Sequence, residues 1–148
     1  MDALLLATLF SFAIEVGGYK EFCTAEPAKC APPAVVFAPE GQLKAKLGGH
    51  VLYGRSPDLV VISERYKDNP GARVVLEATA VHEMVHVLQW RAQRHMGKTD
   101  CNRAAREYEA YRTMNAYYAR NGYGKVGDKV VEDLLRRCEM AKQAGLVK

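Results

Sequence analysis

The longest block of apolar positions lies in the middle of the chain, at residues 74–88. When this segment is drawn as a helix, its apolar side chains occupy almost every face, which is typical of a helix buried on all sides. Pro70 and Gly71 break the chain before the block, and Gly97 follows it. The pattern therefore predicts one long, buried helix from about residue 70 to about residue 95.

Shorter apolar runs predict three strands, at residues 35–38, 50–54 and 59–63. The last is the clearest, because β-branched residues dominate it. Helical patterns predict a first helix over residues 3–16, which ends at two glycines, and two final helices over about 100–120 and 126–144. Since the strands precede most of the helices, the order of elements predicts an α+β fold.

The apolar run at residues 3–14 has two interpretations. It is too short to cross a membrane as a helix. It resembles the core of a signal peptide, but Asp2 stands where a positive residue is usual, and no clear cleavage site follows. We favour a first core helix, with a signal segment as the alternative.

Length and charge narrow the class of protein. The 148 residues fit one domain, residues 1–148. The net charge of +4 comes from scattered Lys and Arg residues without a dense basic run, so charge gives no reason to expect a nucleic-acid partner. We expect no stable membrane span, and nothing in the sequence indicates an oligomeric state.

The chain has four cysteines, at positions 23, 30, 101 and 138, and none forms a C-x-x-C motif. The most economical of the three possible pairings joins Cys23 to Cys30 across a short loop and Cys101 to Cys138 between two helices. Such bonds would favour an extracytoplasmic or particle-associated location. The alternative is four reduced thiols in a cytoplasmic protein.

The predicted central helix contains His82-Glu83-x-x-His86. Residues four apart lie on one face of a helix, so the two imidazoles can bind one cation together. Neutral imidazole suits Zn²⁺, and Glu83 is placed to act as general base on a water that the metal activates. Two imidazoles and a carboxylate inside an apolar helix need partners, and a zinc ion would supply them.

A catalytic zinc site usually has a third protein ligand, and the helix over 100–120 offers two glutamates. Helical spacing places Glu107 on a largely apolar face, where a carboxylate would need a cation. It places Glu109 on a largely polar face with Arg106 and Arg112, as a solvent-exposed, salt-bridging residue. Glu107 is therefore the predicted ligand.

The remaining histidines are weaker candidates. His95 lies nine residues after His86, which turns it about half a revolution away on a helix. His50 stands alone in a predicted strand or loop and is the first alternative if neither glutamate binds the metal.

An H-E-x-x-H helix followed by a glutamate on the next helix resembles the gluzincin metallopeptidases. Residues 107–110, Glu-Tyr-Glu-Ala, are similar to the E-x-x-A-D segment of their CAAX-protease and ImmA-like branches, in which the first glutamate binds zinc. The resemblance covers roughly residues 58–118. It implies a zincin-like fold, with a small, mostly antiparallel sheet packed on a buried H-E-x-x-H helix and two further helices. It also implies that residues 59–63 form an edge strand that aligns a peptide.

The sequence departs from that pattern at Tyr111, where the family has an aspartate that orients a zinc-binding histidine. Tyr111 lies one turn from Glu107 on the same face. Its hydroxyl could replace the aspartate or stabilise an oxyanion in catalysis. Packing of a buried tyrosine is the third interpretation.

Together these features lead us to expect a zinc metallopeptidase, a hydrolase of peptides or proteins. Zn²⁺ would be bound by His82, His86 and Glu107, with Glu83 and Tyr111 as catalytic residues. The alternative is a structural or binding protein, such as a particle component, whose zinc site is mainly structural. Glu83 favours the enzyme, because a purely structural site does not need a general base.

Overall fold

A computed structural model of the protein describes residues 1–39, 51–53 and 58–147, with the backbone alone for residues 51–53. Five α-helices lie within these ranges: α1 (Ala3–Gly17), α2 (Lys20–Ala25), α3 (Arg73–Arg91), α4 (Asp100–Arg120) and α5 (Asp128–Gln143). The strands within them are β1 (Ala34–Ala38), β2 (Val51–Tyr53) and β3 (Leu59–Ser63). None of the described helices has the length and apolar character that a membrane crossing requires.

Local sequence signals account for the ends of the helices. Asp2 caps α1 by accepting a hydrogen bond from the backbone N–H of Leu5, and Gly18 ends it in the left-handed region at φ +81°. Thr99 caps α4 through the N–H of Asn102. The central helix, α3, is shorter than predicted, because the chain leaves helical geometry after Arg91 and both Gln93 and His95 have positive φ.

The predicted fold class, α+β with a mostly antiparallel sheet, is wrong. The protein is mostly helical, and its small sheet has the order β1-β3-β2. Strands β1 and β3 are parallel over five residue pairs, and only the shorter β2–β3 pairing is antiparallel. Short apolar runs show that strands exist but not their direction, because side-chain alternation is the same in parallel and antiparallel sheets.

The position of β3 overturns a second expectation. It lies between β1 and β2, so its backbone pairs on both sides and it is not an edge strand. An extended peptide binds to a sheet through an unpaired strand edge. Residues 59–63 therefore cannot align a substrate in this way.

The central helix is buried mainly by α1 and α4, with β3 covering a further side. The fully buried side chains of its core come from all these elements and include Leu9, Phe10, Val60, Ile62, Val81, Met84, Val85 and Leu88. Burial of this many large apolar side chains is the main force that holds the site in place. As the sequence predicts, α3 forms the centre of the molecule.

The structure contains both predicted disulfides. Cys23–Cys30 closes the loop after α2, and Cys101–Cys138 joins the first turn of α4 to α5. No described cysteine is free. Disulfides of this kind are typical of proteins that fold in an oxidising, extracellular environment.

Candidate metal centre

The middle of α3 carries His82, Glu83 and His86. Because the histidines are four residues apart, their rings lie on one side of the helix, with the two Nε2 atoms 3.1 Å from each other. His82 and Glu83 are buried, with 8% and 6% of their surface exposed. Two imidazole nitrogens therefore converge at one point inside the protein.

Glu107 of α4 completes the group. Its carboxylate oxygens lie 3.5 Å from Nε2 of His82 and 3.6 Å from Nε2 of His86. Zn²⁺ ligands at about 2.0–2.1 Å are separated by about 3.3 Å along the edges of a tetrahedron. The spacing of the three donors fits such a site closely, and imidazole and carboxylate are ligand types that zinc binds.

Charge at the centre also suits a cation. Burial alone would lower the pKa of His86, but its hydrogen bond to Glu107 and the charges of Glu83 and Glu107 raise it to about 9. Burial would raise the pKa of Glu107, but the two histidines hold it well below its usual range. The group thus stabilises positive charge, which a proton on His86 or a metal ion can supply.

Glu83 lies beside the three donors. Its Oε1 is 3.9 Å from Nε2 of His82, and 7% of its side chain is exposed. Glu83 is thus a nearly buried carboxylate directly beside three potential metal donors.

Tyr111 packs its ring against the ring of His82, with centroids 4.6 Å apart and an angle of 68° between the planes. Among the described residues, the buried Nδ1 atom of His82 has no hydrogen-bond partner, so the Tyr111 hydroxyl does not make the orienting bond that we considered for it. Burial and the charges of Glu107 and Glu83 raise the pKa of Tyr111 and keep its hydroxyl protonated at neutral pH. Tyr111 thus borders the site with a hydroxyl that can donate a hydrogen bond.

Of the two other candidate ligands, His95 is the one that the structure describes, and it is not at the centre. His50 falls outside the described residues. His95 is 3.9 Å from Glu109, in a separate group of side chains on the far side of α4 from Glu107.

The prediction that Glu109 lies in solvent is wrong. It is 8% exposed and accepts hydrogen bonds from Tyr19 at 2.7 Å, Gln89 at 2.8 Å and Arg94 at 2.6 Å. Helical spacing identified its polar face correctly, but that face packs against polar groups from three other segments. Its role is to tie α4 to α3 and to the start of α2.

Gln89 is a site residue that the sequence analysis missed. It lies one turn after His86 in α3, is 1% exposed, and has its Oε1 2.8 Å from Nδ1 of His86. The available signal was a glutamine inside an apolar helix at the i+3 position from a candidate ligand. Its hydrogen bonds connect His86 to the Glu109 cluster.

A cavity of about 490 Å³ opens beside the centre. His86 and Glu107 form part of its wall, Trp90 and Met96 give it apolar surface, and Lys98 also lines it. This volume is in the range of sites that bind small ligands or side chains.

Comparison with protein-family models, curated proteins and solved structures finds no match to this chain. Its function is therefore inferred from its own residues.

Proposed function

We propose that this protein is a zinc-dependent metallopeptidase. The observation that carries the proposal is the position of Glu83, a nearly buried carboxylate beside three converging metal-donor groups. His82, His86 and Glu107 would hold the ion, which leaves a fourth position for water or substrate. Zinc at such a site supplies a Lewis acid for a carbonyl oxygen and lowers the pKa of water.

Protein side chains would carry the proton transfers. Glu83 is the general base that takes a proton from the attacking water and delivers it to the leaving amine. The protonated hydroxyl of Tyr111 would donate a hydrogen bond to the oxyanion that develops on the substrate. Its ring contact with His82 keeps the tyrosine next to the site.

The substrate would approach through the cavity bounded by Trp90 and Met96. Because two metal-donor residues form part of the same wall, a side chain in the cavity would lie next to the reacting peptide bond. A substrate that approaches through this cavity does not need to pair with an edge strand. Residues 59–63 could not serve as one, because they form the central strand of the sheet.

The two disulfides support a proposed location outside the cytoplasm or in an extracellular particle. The competing proposal, a binding protein with a structural zinc site, would keep the three ligands but would not use Glu83.

Elemental analysis and a peptide-hydrolysis assay on the Glu83→Gln variant test the proposal. We expect wild-type protein and the variant to retain about one zinc per chain, because the three donors are unchanged. Hydrolysis of a mixed peptide library, followed by mass spectrometry, should fall at least about 100-fold in the variant, since the general base is lost.

Glu77→Gln is the matched control. Glu77 is also a buried glutamate of α3, but it bonds to Arg73 and Tyr117 away from the centre. The Glu77→Gln substitution should leave the rate of peptide hydrolysis unchanged. Zinc-loaded wild-type protein that cleaves no peptide in the library, or a Glu83→Gln variant as active as the wild type, would support the structural zinc site instead.

A further inference from the structure

The amide of Gln89 makes three hydrogen bonds inside the protein. Its Oε1 lies 2.8 Å from Nδ1 of His86, and its Nε2 donates to the carbonyl oxygen of Arg106 at 2.9 Å and to Oε2 of Glu109 at 2.8 Å. Only 1% of the surface of Gln89 is exposed, so water does not compete for these hydrogen bonds.

The partners of Nε2 decide the orientation of the amide. A backbone carbonyl and an ionised carboxylate are acceptors only, so they require the NH₂ group and exclude the carbonyl end. The Oε1 atom must then face His86. Since Oε1 is an acceptor, Nδ1 of His86 must carry a proton and donate it.

This arrangement settles which nitrogen of His86 faces the centre as a ligand. In a neutral imidazole only one nitrogen is protonated, so a proton on Nδ1 leaves the lone pair on Nε2. That atom lies 3.1 Å from Nε2 of His82 and 3.6 Å from Oε1 of Glu107. The hydrogen bond therefore selects the tautomer that binds a metal and fixes the plane of the ring.

Gln89 is itself held from outside α3. Glu109 receives the hydroxyl of the fully buried Tyr19 and the guanidinium of Arg94, which fixes its carboxylate against Gln89. Within residues 1–39 and 58–147, no side chain gives His82 comparable support, since its Nδ1 has no hydrogen-bond partner there. The two histidines of the motif thus differ in how firmly they are oriented.

We propose that Gln89 is a positioning residue that keeps His86 in the Nδ1–H form and so prepares its Nε2 for the metal, with Glu109 as its anchor. Partners of this kind raise metal affinity because the ligand does not have to reorient on binding. The inference rests on the proposed metal centre but not on peptidase activity, so metal binding and spectroscopy can test it directly.

The test compares the wild type with Gln89→Leu, which keeps a similar volume but removes the amide. We expect the zinc affinity, measured by competition with a chromophoric chelator, to fall about 10- to 100-fold. The Glu77→Gln control disturbs buried hydrogen bonds on the same helix and should bind zinc as the wild type does. Equal affinities in wild type and Gln89→Leu would overturn the inference, even if peptidase activity is present.

Nitrogen NMR of the histidine rings in zinc-loaded protein gives a second readout, and its first part uses the wild type alone. We expect His86, assigned with a His86→Gln sample, to carry its proton on Nδ1 and to show slow exchange of that proton. In Gln89→Leu the exchange should become fast. A proton on Nε2 of His86 would overturn the proposal, and a wild-type chain that binds no zinc would overturn the metal centre as well.

Discussion

Glu107 and Glu109 lie two positions apart in α4 and serve different parts of the protein. Positions two residues apart on a helix differ by about 200° around its axis, so the two side chains point in nearly opposite directions. Glu107 meets the two histidines of α3, whereas Glu109 meets Tyr19, Gln89 and Arg94. One carboxylate therefore faces a candidate cation site, and the other pairs with the partly exposed guanidinium of Arg94.

Replacing Glu107 should remove the metal without unfolding the chain. Glu107→Ala deletes the one carboxylate among the three donors, and two imidazoles alone bind zinc weakly. We expect elemental analysis after dialysis to find about one zinc per chain in the wild type and almost none in the variant. Undiminished zinc in Glu107→Ala would mean that the third ligand lies elsewhere, and His50 would be the next residue to substitute.

Replacing Glu109 should instead reduce stability. Glu109→Ala leaves the Tyr19 hydroxyl, the Gln89 amide and the Arg94 guanidinium without their shared acceptor, so we expect a loss of about 3 kcal/mol in the free energy of unfolding. Urea denaturation of the zinc-free protein measures it. Glu109→Gln keeps an acceptor oxygen and should lose less. A change below about 0.5 kcal/mol in Glu109→Ala, the usual scale for an exposed residue, would show that the network does not form.

The residue just before helix α5 contacts a side chain that borders the site. Gly127, which precedes α5 at φ +80°, lies so close to Tyr111 that a β-carbon would overlap the tyrosine ring. Tyr111 in turn packs on His82. The start of α5 therefore packs against the ring of Tyr111, and the Cys101–Cys138 bond joins α5 to α4.

Gly127→Ala should consequently lower the free energy of unfolding of the protein and displace the ring of Tyr111. The expected cost is about 1–2 kcal/mol for the left-handed backbone and a further 1–3 kcal/mol for the overlap with Tyr111. Gly122→Ala is the matched control, because Gly122 has nearly the same φ, +78°, but no atoms close to its missing β-carbon. Thermal unfolding of both variants compares the two losses, and equal losses would rule out the contact.

At the scale of the whole molecule, the disulfides restrict the unfolded chain by different amounts. Cys101–Cys138 spans 37 residues and Cys23–Cys30 spans 7. On a chain-entropy estimate, these loops stabilise the fold by about 4 and about 2 kcal/mol. We expect paired Cys→Ala substitutions, followed by urea denaturation, to show the larger loss for Cys101 and Cys138. The reverse order would mean that the loop after α2 contributes through native contacts instead.

Local patterns were enough to predict several features. The apolar block at residues 74–88 and the glycines after four of the five described helices predicted where those four lie, because helix periodicity and termination depend on neighbouring residues. The short helix α2, which no glycine follows, was not predicted. The spacing of His82 and His86 required their rings to share a face, and the phase of α4 placed Glu107 inward. The disulfide pairing followed from the positions of four cysteines along the chain.

Other features depended on contacts between segments that are distant in sequence. Strands β1 and β3 pair in parallel, and β3 is the central strand of the sheet. Side-chain alternation along a strand does not specify whether it pairs in parallel or antiparallel. The burial of Glu109 arises because Tyr19, 90 residues earlier, and Arg94 meet it in space. Gln89 became recognisable as the partner of His86 only when Arg106 and Glu109 fixed its amide, since a hydrogen-bond network is a property of the packed molecule.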